Sequence, residues 1–355
     1  MPSPTDQPVH GGLLDAELAA LGLRPHDVLD VSVNVNPYGP SAAVVEAIRS
    51  ATIDRYPDPT AWHARLAIAQ SIGATPERIV LGNGAVDLIW TLVRARLTAG
   101  RVAVVVEPAF SEFRAAVGAV GGRIVTWRAL PEAGFAIDLA AVAHAIQSCD
   151  AALVYLCNPA NPTGVLVDTK AISRFARGVP SALVVLDESF LELSEGADDE
   201  RHSMPDNVVR VRSMTKTHAL AGVRVGYLVA REDVASSVER ARPPWTSNAM
   251  AQAAACAAAR ERAFVDTSRA RVLFDRDRVS LAAQGIGLAP LASSTLFFLI
   301  PVRDPHAARA ELLARHRVLV RDATSFGLPG FIRVCARPAA DDDRLLRALS
   351  DEVLR

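Results

Sequence analysis

Lysine is almost missing from this chain of 355 residues. Only Lys170 and Lys216 stand among 38 basic residues, and the rest are arginine. Arginine supplies charge and a planar set of donors but stays protonated, so it cannot act as an amine nucleophile. Each surviving lysine therefore poses its own question. Cysteine is scarce as well: four residues, with no CxxC pair and no metal-ligand spacing, which argues against a disulfide scaffold or a structural metal. The net charge of −1 leaves no bulk attraction for nucleic acid or an anionic membrane. Apolar runs are short; the longest alanine-rich stretch, 249–259, falls below the length needed to span a bilayer. Residues 1–10 carry neither a basic nor an apolar signal region, so a reduced cytoplasmic setting is expected.

With half of its residues apolar, the chain can bury a large core. Apolar runs of strand length recur at 78–81, 102–106, 123–127, 152–156, 183–186, 208–211 and 227–230, with helical patterns between them at, for example, 85–97 and 168–177. Several runs are continuous Val/Leu rather than alternating, as expected of parallel strands covered on both faces. Strand–helix alternation predicts an open α/β sheet with right-handed crossovers. Residues 231–284 predict a long helical stretch interrupted at Pro243-Pro244. Strands at 296–300, 318–320 and 331–334 predict a smaller α+β unit at the end. The expected division is an N-terminal arm (1–40), a large domain (41–245) and a small domain (246–355).

Four segments at predicted strand ends carry groups that complement one another. Leu81-Gly-Asn-Gly-Ala-Val-Asp87 runs from strand into helix, where Gly84, Ala85 and Val86 can offer backbone N–H groups to a phosphate. Alone, it also fits a plain tight turn. Asn158-Pro-Ala-Asn-Pro-Thr-Gly164 fixes two amides between rigid prolines. Leu183-Val-Val-Leu-Asp-Glu-Ser-Phe190 ends an apolar strand in two acids, and a buried carboxylate there needs a cation or donors facing it. Arg212-Ser-Met-Thr-Lys216, followed by Arg224, brings an amine, two hydroxyls and a counter-charge together. Lys170 lies in a charged helical stretch and fits solvated surface, whereas Lys216 fits a Schiff-base role.

These segments, in this order, resemble the aspartate-aminotransferase superfamily, the fold type I pyridoxal-phosphate (PLP) enzymes of the class I/II aminotransferases. The likeness covers nearly the whole chain. It implies a Schiff base on Lys216, Asp187 against the pyridine nitrogen, Asn161 on the ring hydroxyl and Phe110 stacked on the ring. The phosphate falls to Gly84, Ala85, Val86, Ser213, Thr215 and Arg224. Tyr56, in Arg55-Tyr-Pro-Asp58, matches a tyrosine that reaches the neighbouring subunit's cofactor, so a homodimer is implied. Within the superfamily two groups resemble the chain most, both acting on phosphorylated amines. One is L-threonine-O-3-phosphate decarboxylase of cobalamin synthesis, and the other is histidinol-phosphate aminotransferase. Both imply an anion clamp, here Arg321 and Arg333, with His10 and Asn36 also contacting substrate. His10-Gly-Gly12, Phe190 where the aminotransferases carry Tyr, and Pro243-Pro-Trp-Thr-Ser-Asn-Ala249 resemble the decarboxylase more, which is the expected activity. A dinucleotide binder built on Gly82-Asn-Gly84 competes, but the full GxGxxG spacing is absent.

Overall fold

The computed structural model describes residues 10–197 and 204–354; the first nine residues of the expected N-terminal arm lie outside them. The chain opens with helix α1 (Asp15–Ala20), strand β1 (Leu29–Asp30) and helices α2 (Ala42–Arg49) and α3 (Trp62–Ile72). An alternating region follows: β2 (Ile79–Gly82), α4 (Ala85–Arg96), β3 (Val102–Glu107), α5 (Glu112–Ala119), β4 (Arg123–Arg128), α6 (Leu139–Ser148) and β5 (Leu153–Cys157). It continues through α7 (Thr169–Gly178), β6 (Leu183–Asp187), β7 (Val208–Arg212), the single-turn α8 (Met214–Thr217) and β8 (Gly226–Val229). Helices α9 (Glu232–Arg240), α10 (Ala249–Ala258) and α11 (Arg262–Gly285) lead to β9 (Phe297–Pro301), α12 (Pro305–Glu311), β10 (Val318–Leu319), β11 (Arg321–Asp322), β12 (Phe331–Cys335) and α13 (Asp342–Leu349).

Seven strands form one sheet in the order β2-β8-β7-β6-β5-β3-β4. All neighbours are parallel except β8, which runs antiparallel to both β2 and β7. The five residues of β5 and of β6 are all buried, because helices cover both faces. Strand β4 sits at the sheet edge and carries exposed Arg123 and Arg128, charges that discourage edge-to-edge pairing. One core cluster packs α4 and α5 on one face, around Leu88, Leu92 and Phe113; another packs α6 and α7 on the other, around Val142, Ile146 and Ile172. This is the expected α/β architecture with a mostly parallel sheet.

A second core joins the chain's beginning to its end. Leu29 and Val31 pack with Phe298, Ile300, Val318, Ile332 and Val334, and β1 pairs in parallel with β10. The expected extended stretch at 29–35 pairs as a strand only at Leu29–Asp30. The long helical stretch expected at 231–284 is three helices rather than one interrupted helix. The second break falls at Ala259–Glu261, after Asn248 has capped α10 by accepting from Ala251 N.

The adjacent acids ending β6 have opposite surroundings. Glu188 Oε2 accepts from Arg210 Nε at 2.8 Å and Arg212 Nε at 2.6 Å, both projecting from β7. Although burial acts to raise its pKa, these guanidinium groups hold the carboxyl below its ordinary value. Glu188→Ala leaves buried arginines without their counter-charge, so we expect a loss of about 3–5 kcal/mol in denaturant unfolding. The wild-type contribution is in place above the ordinary glutamate range and disappears as pH falls through the depressed value.

Candidate active site

The carboxyl ends of β5, β6 and β7 open onto a cavity of about 260 Å³, the position where open α/β sheets take ligands. Its lining brings together Lys216, Asp187, Asn161, Phe110, Arg224, Arg321 and Arg333, along with Ala85, Val86, Ser213, Thr215 and His10. Residues more than 300 apart in sequence meet here, because Arg321 and Arg333 of the separate β11-β12-β9 sheet line the same cavity as His10.

Lys216 stands on α8, a turn begun where β7 ends. Asn36 holds this turn from outside: its backbone N–H donates to Lys216 O at 3.0 Å, and its amide nitrogen donates to Thr217 O at 2.9 Å. Burial, reinforced by Arg333 and Arg224, brings the Lys216 amine down to about 8. A buried amine near neutrality is available as a nucleophile, which a solvated lysine is not.

Asp187 lies at the end of β6 and faces the cavity. Its Oδ1 accepts from the Ser189 backbone at 3.0 Å and the Ser189 hydroxyl at 2.6 Å, while Oδ2 accepts from Tyr155 at 2.6 Å. Burial outweighs these donors, so the carboxyl titrates above its ordinary value. Among the described residues no arginine bonds it, in contrast to Glu188 beside it. A cation entering the cavity would find a carboxylate already oriented.

The opposite end of the cavity forms an anion cradle. Gly84 takes φ +81° ahead of α4, and a Cβ there would come within 2.6 Å of the Arg224 guanidinium. Gly226 lies against the same turn, where a Cβ would come within 2.9 Å of Ala85 N and 2.8 Å of Arg212 O. Only glycine lets these backbones approach the ligand space so closely. The Ser213 and Thr215 hydroxyls lie 2.5 Å apart at the same end. A helix N-terminus, two hydroxyls and an arginine make a phosphate site. Together with the buried amine and the carboxylate, this donor set fits PLP: phosphate at the cradle, pyridine nitrogen at Asp187 and aldehyde at Lys216.

A second anion site faces Lys216. Arg321 and Arg333 are direct cross-strand partners on β11 and β12. Arg333 Nη2 donates to Ser32 O at 2.6 Å, and its Nη1 donates to Asn161 Oδ1. With Oδ1 so used, the Asn161 NH₂ remains to donate to a ligand. Arg321 donates to Ser325 Oγ at 2.6 Å. Both guanidinium groups sit over the Phe326 ring, at 5.3 and 5.9 Å. Burial first, and then Arg321, lowers Arg333 to about 9, so an arriving anion relieves a strained cation pair.

Three further expected site residues can be placed, and one of them, Asn36, differs from expectation. Asn36 does not line the cavity; its amide is committed to Thr217 O and its Oδ1 to Tyr38 N, whereas Asn34, two residues earlier, lines it. The buried Asn34 Oδ1 has no protein partner. His10 does line the cavity, but its Nε2 lies 2.7 Å from Glu112 Oε1, and Glu112 Oε2 accepts from Trp90 at 2.6 Å. Tyr56 is 79% exposed and stacks on Trp245 at 4.7 Å, outside the cavity lining. Sequence reasoning missed Tyr155, Asn34, Ser325 and Phe326. For Asn34 the signal was present: Ser32, Asn34 and Asn36 alternate along an extended segment, so choosing one was a choice of phase.

Among the described residues, no cluster of three or more His, Cys, Asp or Glu could hold a metal, and no helix is long and apolar enough to cross a membrane. The chain matches the family model for aminotransferase class I and II over residues 26–350. It is 35% identical over 334 residues to a histidinol-phosphate aminotransferase of Symbiobacterium thermophilum, covering 93% of this chain and 91% of the relative. The structure of the histidinol-phosphate aminotransferase from Sinorhizobium meliloti, solved with pyridoxal-5'-phosphate, superposes with a TM-score of 0.86 at 28% identity, covering 99% of this chain and 97% of the other. The L-threonine-O-3-phosphate decarboxylase from Porphyromonas gingivalis shares the fold, with a TM-score of 0.79 at 23% identity over 91% of this chain and 98% of the other. With Lys216 and Asp187 facing one cavity between two anion sites, the chain belongs to the class I and II aminotransferase family of PLP-dependent fold type I enzymes.

Proposed function

We propose that this enzyme transfers the amino group of a small phosphorylated amine, with histidinol phosphate as donor and 2-oxoglutarate as acceptor. The observation that carries this reading is the Arg321–Arg333 pair, buried opposite Lys216 and able to grip a phosphate bidentately. The relatives at 30% identity or more that bear the name histidinol-phosphate aminotransferase support the same donor. They favour it over the decarboxylase expected from sequence motifs, because the decarboxylase neighbour is similar in fold alone.

When bound, PLP supplies an electron sink for a bond broken at the substrate's α-carbon. Lys216, which would hold the cofactor, lines the cavity, and its Nζ would carry a proton from that carbon. The Asp187 carboxylate keeps a proton on the ring nitrogen. Asn161, held by Arg333, donates to the ring oxygen. Arg321 and Arg333 bind the distal anion and set which bond at the α-carbon stands exposed, accepting the donor's phosphate and then the acceptor's carboxylate.

A second reading, decarboxylation of L-threonine phosphate, rests on one observation. Phe190 is buried on the cavity wall, edge-on to Phe297 at 4.9 Å, and brings no hydroxyl to the ring oxygen. The two readings separate in a paired assay on PLP-loaded protein. Glutamate formed from histidinol phosphate and 2-oxoglutarate, with no carbon dioxide from L-threonine phosphate, supports amino transfer; the reverse result makes the enzyme a decarboxylase. Under either reaction Arg333→Ala lowers kcat/KM by about a hundredfold or more.

Lys216→Ala removes the near-visible absorbance that wild-type protein gains with PLP, and wild-type protein without that absorbance would refute the cofactor assignment. The wild-type apoenzyme takes up PLP faster as pH rises through about 8, because the Lys216 amine loses its proton there; stopped-flow absorbance measures this.

We also propose a homodimer. Tyr56, Trp245, Ile53, Trp62 and Met250 are large apolar residues left exposed on the packed α2, α3 and α10 region and its loops. Trp245→Asp converts a dimer, measured by light scattering, into monomer and weakens PLP retention as Tyr56 is withdrawn from the neighbouring subunit's site.

A further inference from the structure

Asp187 is buried, burial disfavours its charged form, and among the described residues no arginine bonds it, so neutral donors are left to favour the carboxylate and aim it at the cavity. Ser189 does this for Oδ1, and it does so locally from two residues away. Oδ2 is the oxygen held from another strand, by the Tyr155 hydroxyl at 2.6 Å. Tyr155 sits on β5 with no solvent exposure. Its ring stacks on Phe113 at 4.7 Å and 11°, which fixes the direction of the hydroxyl. That hydroxyl in turn accepts from Cys157 Sγ at 3.3 Å, and Cys157 itself lines the cavity. A chain of donors therefore runs from Cys157 through Tyr155 to Asp187, wholly inside the protein.

From this arrangement, and resting on the assignment of PLP to the cavity, we infer that Tyr155 is a positioning residue: it holds Asp187 ionised and oriented so that the cofactor's ring nitrogen keeps its proton. A phenol suits this task better than a cation. An arginine at the same place would pair with the carboxylate outright, as Arg210 and Arg212 do with Glu188, and leave it little charge to offer the ring. Tyr155 donates one hydrogen bond and brings no positive charge. Burial and the neighbouring carboxylate raise its own pKa well above the ordinary tyrosine value, so it remains a donor throughout the working range. The other groups facing Asp187 are Cys157 on β5, Glu188 beside it on its own strand, which repels it but is held by Arg210 and Arg212, and Lys216 across the cavity.

Tyr155→Phe tests the inference, because it keeps the ring and its stack and deletes only the hydroxyl. Losing a donor to the charged form raises the Asp187 pKa further, so the pH below which the apoenzyme binds PLP poorly moves up by about one unit. PLP affinity at mildly acidic pH, measured by equilibrium dialysis, falls about tenfold, the order expected when a hydrogen bond to a charged group is lost. In turnover the loss appears in kcat, with KM changed less than about twofold. Tyr155→His, which can still donate to Oδ2, restores part of the affinity. Phe113→Leu loosens the stack that aims the hydroxyl but keeps the hydroxyl, so it moves the pH edge in the same direction by less than Tyr155→Phe does. In an Asp187→Asn background, Tyr155→Phe adds no further shift. An affinity and pH edge unchanged in Tyr155→Phe overturn the inference. If that variant does not fold, Cys157→Ala takes its place: an edge moved the same way by a smaller amount supports the relay, and an unmoved edge overturns it. Wild-type protein that gains no near-visible absorbance with PLP would instead refute the cofactor assignment on which the inference stands.

Discussion

Two carboxylates stand side by side in the interior at the end of one strand, and the site depends on their being treated differently. A charge carried into a protein core needs compensation. Glu188 receives it in full from Arg210 and Arg212, which fastens β6 to β7. Asp187 receives only neutral donors, from Ser189 and Tyr155. Its remaining electrostatic demand is left to be met by whatever enters the cavity. The same strand thus ends in one acid that stabilises the fold and one that recruits a ligand. Because side chains on a strand alternate between faces, adjacent positions meet different neighbours, and this single step of the chain separates the two roles.

The choice between lysine and arginine follows a similar logic. Where the protein keeps a permanent cation it uses arginine: at Glu188, and at the proposed phosphate cradle and substrate clamp. At Arg333 even full burial leaves the guanidinium protonated near neutrality, since the group starts so high and falls only to about 9. The same environment lowers a lysine to about 8, within reach of deprotonation. Arg333 and Lys216 therefore share one desolvated pocket and keep different charge states within it. Arg333 also contributes to lowering Lys216, so the substrate clamp helps to prepare the nucleophile.

Much of this was legible in the chain before any coordinates. The scarcity of lysine isolates Lys216, and the continuous Val/Leu runs place seven strands of the sheet within a residue or two. The two Asn-Pro steps and the Asp-Glu pair at strand ends are local signals, and local signals survive in one dimension. What could not be read depends on pairing across the fold. Tyr155 looks like any apolar residue of a buried strand, because its hydroxyl acquires meaning only when β6 lies alongside. Asn34 and Asn36 are equivalent in an extended segment until α8 takes one of them for its own carbonyls. The break between α10 and α11 leaves no proline or glycine behind, so composition gives no warning of it.

The substrate clamp shows why sequence motifs and relatives can point to different reactions for one architecture. Arg321 and Arg333 fix an anion at a set distance from Lys216, but they do not say which anion. Gripping the phosphate of L-threonine phosphate would leave its α-carboxylate free to turn, whereas histidinol phosphate carries no α-carboxylate and could lose only its α-hydrogen. With the cofactor bound as an electron sink, the choice of reaction would depend on which substrate enters and how it lies rather than on a change in Lys216 or Asp187. Residues placed to select the substrate lie on the cavity wall: His10, tied to Glu112; Asn34, with an unused acceptor; and Phe190, which presents an apolar edge. An acceptor such as the Asn34 Oδ1, buried and unpaired, costs free energy until a ligand N–H or O–H meets it. The imidazole of histidinol phosphate carries such a donor at the end of the molecule remote from its phosphate, and the methyl group of threonine phosphate does not. That difference, set in the wall rather than in Lys216 or Asp187, supports the proposed amino transfer over decarboxylation.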